Sequence, residues 1–196
     1  NLVSEDDNVT GFGRTASTAL GGHVQGTIQG HVGIERKLVL AMLNELPAAE
    51  HDDLVLAVVR VGVLGTGGGG IACIGGQGAD IAVHEWGHAF ASLGDEYTSK
   101  THEREGGRRA PNVSDTDDPE RVPWAHWIEA KARGIGVYEG ANGQVRGAWK
   151  PKASGCVMQD GEFFCEPCRE AVVLRIYPLV DPIDSASHPV HDDDSK

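Results

Sequence analysis

The chain has 196 residues, enough for one domain with a sizeable core, and a 40% hydrophobic share that marks it as globular rather than disordered. Its formal net charge of −12 argues against nucleic acid as a partner, because phosphate neutralisation needs a basic surface. No apolar run approaches membrane-spanning length, and the acidic start Asn1 to Asp7 shows no signal-peptide pattern.

Taken in order, residues 8–32 are rich in Gly, Thr and His with weak periodicity. Val24, Ile28 and Val32 suit a short strand or irregular cover, and His23 and His31 read as ordinary polar residues. From Ile34 to Leu46 the apolar residues Ile34, Leu38, Ala41, Met42 and Leu46 form one stripe, which predicts an amphipathic helix stopped by Pro47 and backing a sheet. Leu54 to Leu64 is almost continuously apolar and β-branched, the pattern of a central strand covered on both faces. Gly65 to Gly70 reads as a flexible loop; no Gly-Lys-Ser/Thr follows, so it is a poor phosphate loop. Ile71 to Gly75 reads as a short strand at a cleft edge, where a peptide substrate can pair with backbone.

The next stretch organises the chain. Gly78-Ala79-Asp80-Ile81-Ala82-Val83 supplies an acid near a helix start and then an apolar stripe. His84-Glu85-Trp86-Gly87-His88 follows, with Gly94 as a helix C-cap and Asp95 and Glu96 just beyond it. Histidines at i and i+4 share one helix face, so two imidazole nitrogens can converge on one zinc ion. Glu85 stands where a carboxylate reaches a metal-bound water without being a ligand, the position of a general base in peptide hydrolysis.

Beyond Tyr97 the chain is polar through Pro119, with Arg104, Arg108 and Arg109 beside Glu103 and Glu105. Asp115, Asp117, Asp118 and Glu120 raise the idea of a calcium loop, but EF-hand spacing is missing and a solvated acidic turn is the better reading. Val122 to Ile128 concentrates aromatic residues, and 135–150 reads as irregular chain or short strands. Phe164 to Leu179 predicts a second helix with Pro167 near its start, and the Asp-, Ser- and Pro-rich tail 181–196 a disordered end. Met158, in Gly155-Cys156-Val157-Met158, fits a methionine turn beneath the ligating histidines. The four cysteines, Cys73, Cys156, Cys165 and Cys168, favour disulfides in an exported enzyme, with three connectivities open. Cys156 bridged to Cys165 or Cys168 would staple the methionine turn to the last helix. A structural zinc site and a redox pair at Cys165-Glu166-Pro167-Cys168 are the weaker alternatives.

The run His84 to Tyr97 resembles the signature of the IgA-peptidase-type zinc metallopeptidases. Ala110-Pro111-Asn112-Val113, Val122 to Ile128, Tyr138-Glu139-Gly140-Ala141, Cys156-Val157-Met158 and Phe164 to Ala171 extend the likeness in order across most of 34–179. The resemblance implies a secreted bacterial metalloendopeptidase with a metzincin-like catalytic domain; cleavage of immunoglobulin A does not follow from it. The wider metzincin group places Gly and a third ligating His where this chain has Ala91 and Gly94. On an unbroken helix Asp95 would lie about 10 Å beyond His88 along the axis, so it can ligate only if the chain turns back near Gly94. The resemblance and the glycine favour Asp95 as third ligand, with Glu96 and His126 the remaining options, and Glu96 otherwise a supporting or ion-paired group.

The expectation is therefore an α/β (α+β) fold: one metallopeptidase domain over 1–180, with a twisted mixed sheet, a backing helix, an active-site helix and a C-terminal helix. The expected function is hydrolysis of protein or peptide substrates by zinc-activated water, with His84, His88 and Asp95 as ligands and Glu85 as base; His126 and Tyr138 are candidates for the oxyanion, though packing or hydrogen bonding is the preferred reading of each. The alternative is a non-catalytic zinc-binding module that recognises a surface protein or glycan.

Overall fold

In the computed structural model, which describes residues 5–6, 9–11, 13–25, 30–46, 54–76, 79–99 and 109–180, seven short strands and four helices form a mixed α and β structure. Strands β1 (His23–Gln25) and β2 (His31–Gly33) make an antiparallel ribbon in which Val24 faces Val32. Helix α1 (Arg36–Leu43) is shorter than the periodicity predicts, and its only fully buried side chain is Val39. The stripe anticipated for it is half-buried at Ile34, Leu38 and Met42 and exposed at Ala41 and Leu46. Pro47 and the tail 181–196 lie outside the described residues.

Strands β3 (Val55–Val58), β4 (Thr66–Gly68) and β5 (Ile71–Ile74) form a sheet in the order β3-β5-β4. Three expectations are corrected here. The apolar run from Leu54 does not make a long central strand; β3 lies at the edge, parallel to β5, with Leu56 50% and Val58 70% exposed. Ala57 alone is buried within β3, because successive side chains alternate across the sheet and one face is left uncovered. Central place goes to β5, the strand expected at the cleft edge. The glycine run, expected as a loop, instead supplies β4, which pairs antiparallel with β5 through a turn at Gly69 and Gly70. Both turn residues have positive φ, 58° and 82°, which a two-residue hairpin turn of this hand requires and glycine adopts without strain.

Helix α2 (Ala79–Ala91) begins with Asp80 in its first turn and packs against β4 and β5. Its end is also a correction. The left-handed residue that reverses the chain is Ser92, at φ 54°, rather than Gly94. The short helix α3 (Ala125–Glu129) carries the aromatic stretch, with Trp124 buried and its indole N–H donating to the Gly136 carbonyl at 2.7 Å. Residues 135–150, read as irregular chain or short strands, contain a hairpin of β6 (Tyr138–Ala141) and β7 (Gln144–Lys150). Asn142-Gly143 turns it, both at positive φ, 50° and 76°. Helix α4 (Glu166–Ile176) starts at the Cys165 cap and carries Pro167 in its first turn.

Three small cores hold these pieces. Val32, Ala57 and Cys73 join the ribbon to the sheet, while Val113, Ala141 and Ala148 anchor the hairpin. The third joins the end of α2 to the Cys156–Met158 turn and α4 through Ala91, Leu93, Met158, Cys165 and Cys168. Among the described residues no helix is long and apolar enough to cross a membrane.

Candidate metal centre and its cavity

Helix α2 turns His84, Glu85 and His88 toward a cavity of about 590 Å³ whose wall also contains Thr66, Gly67 and Gly68 of β4, Asp95 and Tyr97. Imidazoles four residues apart on one helix face bring their Nε2 atoms to 3.1 Å. After Ser92 the chain turns back, and Asp95 Oδ1 lies 3.2 Å from His84 Nε2 and 3.1 Å from His88 Nε2. The structure thus brings His84, His88 and Asp95 together as one group of ligand-type atoms.

The donor chemistry of that group fits a cation. His84 Nδ1 lies 2.9 Å from the Val157 carbonyl and His88 Nδ1 2.6 Å from the Leu93 carbonyl. A carbonyl only accepts, so each ring carries its proton on Nδ1 and, when neutral, presents a lone pair at Nε2. Two such lone pairs and a carboxylate oxygen then face one another within 3.2 Å, an arrangement that needs a positive charge among them. Ligands around a tetrahedral zinc at 2.0–2.1 Å stand about 3.3 Å apart, close to the spacing found. Without an ion, protons serve: burial works against charging either imidazole, yet Asp95 raises the pKa of both. Burial likewise opposes ionisation of Asp95, but the two histidines hold its carboxyl far below the usual range.

Glu85 is buried beside this group, and its pKa is raised by that burial against the pull of His84 and His88. What covers it is β4. A Cβ on Gly65 would come within 2.7 Å of the Glu85 carboxylate, and one on Gly67 within 2.2 Å of the Glu85 carbonyl oxygen. The glycines are therefore needed because the strand rests directly on the helix that bears the histidines. On the opposite side a Cβ on Gly87 would meet Met158 Sδ at 2.9 Å, so the fully buried Met158 packs directly against α2 beside the histidines.

The turn that presents Asp95 is itself built. Asn112 is buried, accepts the Gly94 N–H at 2.7 Å and donates to the Gly94 carbonyl at 2.9 Å. The Glu96 N–H donates to the Met158 carbonyl at 2.8 Å, tying this segment to the methionine turn. Glu96 points away from the histidines; it is fully buried, accepts from Asn112 Nδ2 at 2.9 Å, and burial raises its pKa to about 8. Its neighbours are Cys156, Cys165 and Cys168, and these four residues make a second group of ligand-type atoms.

Several expectations change at this level. His126 does not line the cavity; its Nε2 pairs with Glu170 at 2.8 Å on the outer face of α3 and α4. Tyr138 lies on β6 against Gly136, also away from the cavity. The aromatic hydroxyl that does line it is Tyr97, stacked on His84 with ring centroids 6.1 Å apart. Burial and the Asp95 carboxylate keep its phenol protonated well above the usual range. Tyr97 and Asn112 carry no role from spacing alone and are marked only by lying in blocks that bear the resemblance, while the glycines are marked only as a run beside the HExxH helix. The acidic stretch keeps local, exposed contacts suited to the solvated turn its sequence favours over a calcium loop: Asp115 pairs with Arg109 at 2.9 Å and Asp118 accepts the Glu120 N–H at 3.0 Å. The disulfides are not formed either, since all four cysteines are free thiols, and Cys73 belongs to the sheet core rather than to the trio.

Comparison with protein-family models and with curated proteins finds no match, so the likeness to IgA-peptidase-type enzymes stands on its quoted motifs.

Proposed function

We propose that the protein is a metalloendopeptidase of metzincin-like architecture, with His84, His88 and Asp95 holding zinc and Glu85 as general base. The observation that supports this most is the convergence of three metal-ligand atoms beside a buried carboxylate on the same helix, all opening onto one cavity. When bound, zinc supplies a Lewis acid that brings water's pKa near 7 and polarises a carbonyl.

The chain's own residues supply the rest. Glu85 is held close to the histidines and buried, so its raised pKa suits it to take a proton from water and return it to a leaving amine. Strand β4 is the edge of its sheet and lines the cavity, so an extended peptide can add to it by backbone hydrogen bonds. That geometry favours an endopeptidase over a hydrolase of small amides. Tyr97 presents a protonated hydroxyl in the same wall, a donor for the developing oxyanion. Secretion rests on the resemblance, because free thiols remove disulfides as its support.

The test compares the parent with Glu85→Gln on a denatured protein substrate, with zinc content measured in both. Cleavage by the parent, equal zinc and loss of cleavage in the variant support the peptidase. Equal zinc with no cleavage by either across a broad peptide library favours the non-catalytic binding module.

A further inference from the structure

We propose that Cys156, Cys165, Cys168 and Glu96 form a second zinc site, structural rather than catalytic, which fixes the turn that presents Asp95. The four residues come from three separate segments and are all buried, and one ligand atom from each lies within 4.8 Å of the others. Cys156 Sγ and Cys168 Sγ are 3.7 Å apart, and Glu96 Oε1 is 3.1 Å from Cys168 Sγ and 3.7 Å from Cys165 Sγ. Two thiolates on a tetrahedral zinc, each at 2.3 Å, stand about 3.8 Å apart, whereas a disulfide needs about 2.05 Å. The spacing is that of ligands around an ion.

The surroundings suit thiolates and a cation. Cys165 caps α4 and Cys168 lies in its first turn, where the helix dipole favours negative sulfur. The Cys165 N–H points at Cys156 Sγ, 3.4 Å away, a contact in which the sulfur accepts. Glu96 Oε1 faces Cys165 and Cys168, and the other carboxylate oxygen, Oε2, is buried with no hydrogen-bond partner among the described residues, so this carboxylate is left under-satisfied beside the sulfurs. Three thiolates and a carboxylate exceed the charge of a divalent ion, and the buried Lys150 ammonium stands beside them. Lys150 donates to the Glu96 carbonyl and to Gln159 Oε1. Three soft sulfur ligands and one oxygen, all buried, select zinc over calcium or magnesium.

The consequence reaches the cavity. Glu96 follows Asp95, its N–H binds the Met158 carbonyl, and Cys156 begins the turn that carries Met158. An ion held here clamps both the third ligand's segment and the methionine turn to α4.

The experiment measures zinc in the full chain and in His88→Ala, which leaves every cysteine in place. The parent is expected to hold two zinc ions and His88→Ala one. Cobalt loaded into His88→Ala should give thiolate-to-cobalt charge-transfer absorption, and chelation should lower that variant's unfolding midpoint. Cys165→Ser/Cys168→Ser should lose the absorption and one metal. A folded His88→Ala protein that holds no metal and shows no charge-transfer band overturns the proposal, as does a native mass two hydrogens short that marks a disulfide in the trio. The band in His88→Ala alongside a parent that cleaves no peptide upholds this site while the peptidase reading falls.

Discussion

The Asp95 carboxylate faces a cavity and two imidazoles, whereas the next one, Glu96, turns inward to three thiols and Asn112. Successive residues of extended chain point in opposite directions, so one short turn after Ser92 feeds two groups of different chemistry. The open group has nitrogen and oxygen donors, a neighbouring buried carboxylate and a cavity in front of it. The closed group is mostly sulfur and all four of its residues are buried, the contrast that the proposed catalytic and structural roles require. Each imidazole of the open group is oriented by a backbone carbonyl, Val157 or Leu93, so its geometry depends on the same turns that enclose the other.

That contrast can be broken most severely at the histidines. His84→Ala should lower metal affinity and proteolysis by more than about 100-fold, since even groups outside the ligand shell change them by 10–100-fold. Metal retention at the thiols should be unaffected, and equilibrium dialysis with a peptidase assay reads both.

Next in size is the strand that covers Glu85. Gly67→Ala forces β4 off α2 and should cost about 1–3 kcal/mol of stability, measurable by urea unfolding. Gly65→Ala presses on the Glu85 carboxylate instead and should lower turnover with metal content unchanged.

The contrast sharpens with pH in the metal-free protein. Glu96 keeps its proton in the fold up to about 8 but loses it near 4.5 when unfolded, so rising pH through that window destabilises the chain. His84 and His88 act in the same direction above 6.5, because their folded pKa values are raised and the Asp95 pairing fades as they deprotonate. Asp95 acts oppositely: its depressed pKa gives stability above 3.8 that is lost as pH falls further. Metal-free protein should therefore be most stable near pH 4 and weaken toward 8, while zinc, which competes with these same protons, should stabilise more as pH rises. Denaturation midpoints with and without chelator show whether the two curves diverge in this sense.

The smallest effect belongs to His126. His126→Ala removes an exposed pair with Glu170 and should change stability by less than about 1 kcal/mol and leave turnover alone.

How legible the molecule is from sequence follows from the range of the forces involved. The helix bearing His84, Glu85 and His88 was readable because its pattern is local and its spacing maps directly onto a face. The burial of Met158 against that helix agrees with its apolar, soft side chain. Strand order was not, since pairing of β5 with both β3 and β4 depends on distant chain and on Gly69-Gly70 acting as a turn rather than a loop. The Asn142-Gly143 hairpin carried a recognisable turn signal that the weak alternation around it obscured. The thiol group resisted because Glu96 completes it from 60 residues upstream of Cys156, outside any cysteine spacing rule.

The central claim is that Asp95, not Glu96, closes the metal site around His84 and His88. Anomalous scattering from a zinc-loaded crystal measures it directly. The account predicts a peak within about 2.2 Å of both Nε2 atoms and of an Asp95 carboxylate oxygen. A peak on the two histidines with its third protein contact from Glu96, or with Asp95 turned away, would contradict it.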